Sequence, residues 1–198
     1  MTFIVLEGAD GVGKSTQVTK LVERLVGIGK DVLQTHEPGG TPAGQEIRKR
    51  LLHAESLDPE AELALMLEDR AHHVAEVIKP ALAAGTIIIC DRFTPSSLVY
   101  QGIARKLGVE HVETAAAEAE QGVVPDLVLV LDLQDELLDP RQSKDPDRLE
   151  REGKDFQQAV RDGYRMLAGL YGWKVVDASG RPEEVFERVY HEVRLVLP

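Results

Sequence analysis

Eight residues near the start of the chain, Gly8-Ala9-Asp10-Gly11-Val12-Gly13-Lys14-Ser15, restrict its possible folds more than any other stretch. They fit G-x-x-x-x-G-K-[ST] at every fixed position. The apolar run Phe3–Leu6 precedes them, and Val18, Leu21, Val22 and Leu25 follow at helical spacing. In a strand–turn–helix of this kind the glycines let backbone N–H groups turn inward toward phosphate oxygens. The helix N-terminus aims its positive dipole end at the same place. Gly8, Ala9, Asp10, Gly11, Val12, Gly13, Lys14, Ser15 and Thr16 are therefore the expected nucleotide-binding segment. Lys14 would reach the β- and γ-phosphates of ATP or GTP, and the Ser15 hydroxyl would ligate Mg²⁺.

Further apolar runs at Val32–His36, Thr86–Asp91, Leu127–Asp132 and Lys174–Asp177 barely alternate, as strands buried on both faces do. Helical patterns lie between them, at about Lys14–Ile28, Ala43–Leu52, Asp58–Arg70, within Val112–Gly122, and at Lys154–Leu170. Asp58 and Pro59 read as an N-cap and first helical residue, Pro80 as a kink or break, and Pro182 as the start of a last helix. The alternation predicts an α/β fold of the P-loop NTPase type: a three-layer sandwich with a five-stranded parallel sheet flanked by helices. The 198 residues suit one domain. The charged stretch Asp139–Glu150, with two prolines and no apolar period, reads as a short lid.

A metal or acceptor site needs a second acid near the loop. Asp91 ends a buried strand, where ligands gather in open α/β sheets, and is the expected metal partner of Ser15. The net charge of −11 argues against broad nucleic-acid binding. No apolar run approaches the ~18 residues of a membrane span, so a cytoplasmic protein is expected. The single cysteine, Cys90, ends an apolar run and reads as a buried, inert thiol. The chain contains no asparagine, which disfavours the Asn-Lys-x-Asp element of guanine-specific switches. A small-molecule kinase fits the length; a phosphate acceptor would require fixed arginines.

Several segments together carry a family resemblance: LEGADGVGKSTQ, EPGGT from Glu37, DRAHH from Asp69, DRFTPSSLVYQG from Asp91, PDRLE from Pro146 with Gly163-Tyr164, and VDAS from Val176. In this order they resemble the thymidylate kinase family, in the nucleoside monophosphate kinase group of P-loop proteins. The resemblance implies transfer of the γ-phosphoryl of ATP to dTMP with Mg²⁺, and a homodimer. By the same resemblance Arg92 and Arg48 would hold the acceptor phosphate, and Arg70 would donate to a thymine carbonyl. Ser97 and Gln101 would lie along the base edge, Tyr100 beneath the sugar, and Asp10 near its 3′-hydroxyl. Arg141, Lys144 and Arg148 are the candidate catalytic residues of the lid, beside Lys14 and Arg92, because Ala9 to Val12 carry no base. Met66 stands where the family usually has a phenylalanine stacked on thymine, and His36 where it has an arginine. Three other readings stay open: a kinase for another nucleoside monophosphate, a deoxynucleoside kinase with Glu37 as base, and a non-enzymatic ATP-dependent switch.

Overall fold

The computed structural model describes residues 2–134 and 147–198. The five apolar runs form β1 (Thr2–Glu7), β2 (Val32–His36), β3 (Ile87–Asp91), β4 (Leu127–Asp132) and β5 (Lys174–Asp177). Three of these spans coincide with the sequence expectation. β1 gains a residue at each end, and β3 starts one residue later. The sheet order is β2-β3-β1-β4-β5, with every neighbouring pair parallel. From β1 the chain runs to one side for β2 and β3 and to the other for β4 and β5. A crevice therefore opens beyond the carboxyl ends of the central strands.

Helices cover both faces, and the pleat divides the core between them. Ile4 and Leu6 of β1 join one buried cluster with Val18, Leu21 and Leu25 of α1 (Lys14–Gly27) and Val185, Val189 and Val193 of α8 (Pro182–Val193). Phe3 and Val5, pointing the opposite way, join Val74, Ile78, Ile88, Cys90 and Phe93. Cys90 is buried, as expected.

Helix starts follow their caps. Thr41 accepts from Gly44 N at 2.9 Å and Pro42 opens α2 (Pro42–His53). Asp58 accepts from Glu60 N at 3.0 Å and Pro59 opens α3 (Pro59–His73). α3 runs past Arg70 into a π-helical turn, Val74–Ile78, and resumes as α4 (Lys79–Ala84) with Pro80 in its first turn. Proline lacks an N–H and crowds the carbonyl four residues back, and the wider turn just before it accommodates both defects. The segment Thr94–Ala104, which sequence periodicity left unassigned, is helical: α5 (Thr94–Ser97) passes directly into a π-helical stretch, Leu98–Ala104. α6 (Val109–Glu120) and α7 (Lys154–Tyr171) complete the layers. Among the described residues, no helix is long and apolar enough to cross a membrane.

Candidate active site

The loop after β1 is shaped by backbone that only glycine tolerates. Gly8 has φ +133, and a Cβ there would lie 2.4 Å from the Leu131 carbonyl oxygen. Gly11 and Gly13 also have positive φ. α1 then starts with no side-chain cap and no acid in its first turn, so its leading N–H groups stay available for an anion. Lys14 folds back over the loop, donating from Nζ to Gly8 O at 2.9 Å and Ala9 O at 2.8 Å. Burial, then the Arg92 charge, bring its ammonium down to about 8 against the pull of Asp10, Asp91 and Glu7.

Ser15 Oγ donates to Asp91 Oδ2 at 3.2 Å, so the two expected metal ligands face each other at the carboxyl ends of β1 and β3. Asp91 Oδ1 is buried and has no partner among the described residues. An unsatisfied buried carboxylate oxygen beside a hydroxyl suits Mg²⁺, which takes few protein oxygens and completes its shell with water and phosphate. Among the described residues no cluster of three or more His, Cys, Asp or Glu could hold a metal by itself.

Arg92 follows Asp91 with φ 71, in the left-handed region that non-glycine residues rarely adopt. The strained turn drives its guanidinium back over the loop. Nη2 donates to Asp10 Oδ1 at 2.5 Å and to Tyr100 Oη at 3.3 Å, while Nη1 donates to Ser96 Oγ at 3.1 Å and Tyr164 Oη at 3.2 Å. Tyr100 Oη also donates to Asp10 Oδ2 at 3.2 Å. Burial raises Asp10, but Arg92 and Lys14 outweigh it and hold the carboxyl below its usual range. Behind Arg92 lies Glu7, fully buried, which accepts from Phe93 N at 2.8 Å, Ser96 Oγ at 2.7 Å and Tyr164 Oη at 2.8 Å. Burial pushes Glu7 up, opposed by Arg92 and these hydrogen bonds. Glu7, Ser96 and Tyr164 received no role from the sequence. The available signal was a carboxylate closing an otherwise apolar strand, which a buried site must pair.

Two cavities meet at this point. One of about 620 Å³ includes Gly13, Lys14, Ser15, Thr16 and Asp91 in its wall; the other, about 110 Å³, includes Met66, Ser96 and Tyr100. Asp10, Glu37, Arg48, Arg92 and Asp147 line both. Arg48 is held there by its Nη1 bond to Pro38 O at 2.8 Å. His36 lines the larger cavity alone.

Arg70 lines neither cavity; it is fully buried beside Glu37, which lines both, with Nε on Glu37 Oε2 at 2.9 Å and Nη2 on Ser97 Oγ at 3.1 Å. The second Glu37 oxygen meets His73 Nδ1 at 2.9 Å. Both Glu37 oxygens are therefore engaged, which leaves no free carboxylate for the base role considered above.

Ser97, expected along the base edge, also lines neither cavity, and two further residues are held away from the roles the resemblance implied. Gln101 is fully buried and turned away from both cavities, its Nε2 donating to Glu62 Oε1 at 2.7 Å. Arg148 is pinned rather than free: Nη1 meets Glu62 Oε2 at 2.7 Å and Nε donates to Leu51 O at 2.9 Å. Glu62, buried on α3, attracts both because an unpaired carboxylate there would be costly. Arg148 thus ties the residues leading into α7 to α2 and α3, and lines neither cavity. Arg141 and Lys144 lie outside the described residues.

Comparison with known proteins agrees with this geometry. The family model described as thymidylate kinase matches residues 6–189. A thymidylate kinase from Synechococcus sp. (strain JA-2-3B'a(2-13)) is 46% identical over 198 residues, covering 99% of this chain and 96% of its own. One from Halothermothrix orenii (strain H 168 / OCM 544 / DSM 9562) is 44% identical, with 97% and 96% covered. The crystal structure of thymidylate kinase from Ehrlichia chaffeensis superposes with a TM-score of 0.82 at 29% identity, over 97% of this chain and 98% of that one. A phosphate loop facing an arginine-lined second cavity, on a chain matched along nearly its whole length, places this protein in the thymidylate kinase family.

Proposed function

We propose that this protein is a nucleoside monophosphate kinase that transfers the γ-phosphoryl group of ATP to the 5′-phosphate of dTMP, giving dTDP and ADP. The observation that carries the proposal is the junction of the two cavities at Asp10, Arg48 and Arg92. A donor phosphate on Lys14 and an acceptor phosphate on Arg92 would meet there. An acceptor oxygen forms the new bond to the γ-phosphorus as the bond to the β-phosphate oxygen breaks and ADP leaves. The attacking phosphate is already an anion, so no general base is needed. Lys14 and Arg92 stabilise charge on the transferring group, and the shared wall fixes its line of approach. Mg²⁺, when bound, neutralises phosphate charge, with Ser15 and Asp91 as the residues that would hold it.

Arg48 would share the acceptor phosphate with Arg92, and Met66 would pack on the base. Tyr100 and Asp10 would border the sugar, and Arg70, held on Ser97, would face the base edge. Gln101 and Arg148 support the surrounding helices through Glu62, so the closing positive charge is assigned to Arg141 or Lys144. The chain is read as one kinase domain with a lid over about 139–150, as a homodimer, and as a cytoplasmic protein.

An acceptor panel tests the proposal: dTMP, dUMP, dCMP, dGMP, CMP, UMP and thymidine, each with Mg-ATP in an ADP-release assay. The expected best acceptor is dTMP. A different best acceptor refutes the substrate, and no stimulated turnover with any of them refutes the kinase.

A further inference from the structure

The guanidinium of Arg70 is set by a line of buried hydrogen bonds that begins on a histidine. His73 is fully buried in the last turn of α3. Its Nε2 lies 2.6 Å from Thr35 Oγ1 on β2, and its Nδ1 lies 2.9 Å from Glu37 Oε1. With Thr35 donating to Nε2, the Nδ1–H is free to donate to Glu37. Gly40 closes over the ring: a Cβ there would stand 2.5 Å from His73 Cδ2, so the ring is clamped edge-on. Glu37 passes the constraint on, binding Arg70 Nε with its other oxygen at 2.9 Å. Ser97 takes Arg70 Nη2 at 3.1 Å, and the Phe93 ring lies 5.0 Å from the guanidinium carbon. One Arg70 nitrogen remains: Nη1 is buried and has no partner among the described residues.

A carboxylate held by one oxygen can still turn about its terminal bond; held by both, it cannot. We propose that His73 is a positioning residue for the acceptor base, fixing Glu37 so that Arg70 presents its unpartnered Nη1 to a carbonyl of that base. The inference rests on the dTMP function proposed above. It goes further by assigning base discrimination to a relay of Thr35, His73, Glu37 and Arg70, contributed by β2, the loop after it and α3. Thymine carries a carbonyl oxygen at ring position 4, where cytosine carries an amino group. A fixed N–H donor favours the first and has no acceptor in the second. A histidine that merely filled the core would affect stability without altering that preference.

Calorimetric Kd values for dTMP, dCMP and ATP provide the test, measured on the full chain and on His73→Leu, His73→Asn and Thr35→Val. Leucine fills the space without a donor, whereas the asparagine amide nitrogen stands near the Nδ1 position and donates to Glu37. His73→Leu is expected to raise the dTMP Kd about three- to tenfold, the range of one buried hydrogen bond. The dCMP and ATP values should stay within about twofold, and His73→Asn should recover most of the loss. Thr35→Val should shift dTMP in the same direction by less. An unchanged dTMP-to-dCMP ratio in His73→Leu overturns the inference, as does an asparagine variant no better than the leucine one. Should His73→Leu not fold, an unchanged ratio in Thr35→Val overturns it equally. Failure of the underlying function shows separately, as a wild-type protein without preference for dTMP over dCMP.

Discussion

Lys14 is the residue whose loss removes the most. Its ammonium is buried against the loop carbonyls it would leave when a phosphate arrives, so its charge is held ready in a dry setting. Lys14→Met should lower kcat by at least about 10²-fold, the effect of removing one preorganised charge donor. The urea midpoint should show the fold retained, and wild-type turnover would remove Lys14 from the site. Met66 lines the smaller cavity beside Leu52 and Tyr100. Met66→Phe adds a flat face there and should lower the dTMP KM about three- to tenfold, the range of an aromatic stack. An unchanged KM would take Met66 out of the base pocket. At this scale the sequence was informative where the chemistry is local. The loop from Gly8 to Ser15 and the pairing of Ser15 with Asp91 could be anticipated from the residues. Acceptor roles for Arg92, Tyr100 and Asp10 came only through the family resemblance, and their mutual contact came only with the fold. Gln101 and Arg148 could not be placed. Their positions depend on Glu62, a carboxylate that looks like any helix-surface acid until the fold buries it.

Among the elements, the strands were legible because buried parallel strands are continuous apolar runs. The helical Thr94–Ala104 was not, since its serines, tyrosine and glutamine turn inward to polar partners rather than outward to water. α2 and α3 meet with similar closeness. A Cβ on Gly44 would lie 2.3 Å from Asp69 Oδ1 and 3.1 Å from Thr41 Oγ1, the oxygen that caps α2. Gly44→Ala should therefore cost about 1–3 kcal/mol through overpacking, read as a lower urea midpoint. A neutral result would mean that α2 can slide away from α3.

For the whole molecule, the buried acids set how stability depends on pH. Burial and the neighbouring Glu37 push Asp69 up to about 6, although Gly39 N donates to it. Between an unfolded value near ~4 and that folded value, the native protein keeps a proton that the unfolded chain has released. Stability from this group is complete below about pH 4 and is lost as the pH rises through about 6, a change of about 3 kcal/mol. Asp69→Asn retains an acceptor for Gly39 and should flatten that stretch of the denaturation profile; identical slopes in both proteins would refute the assignment. The bond between Glu7 and Tyr164 has a different consequence. It joins positions 157 residues apart, so the scaffold behind Arg92 waits for nearly the last helix to be made. A nascent chain carries its phosphate loop from the first moments of synthesis, yet it cannot set its acceptor arginine until α7 has left the ribosome.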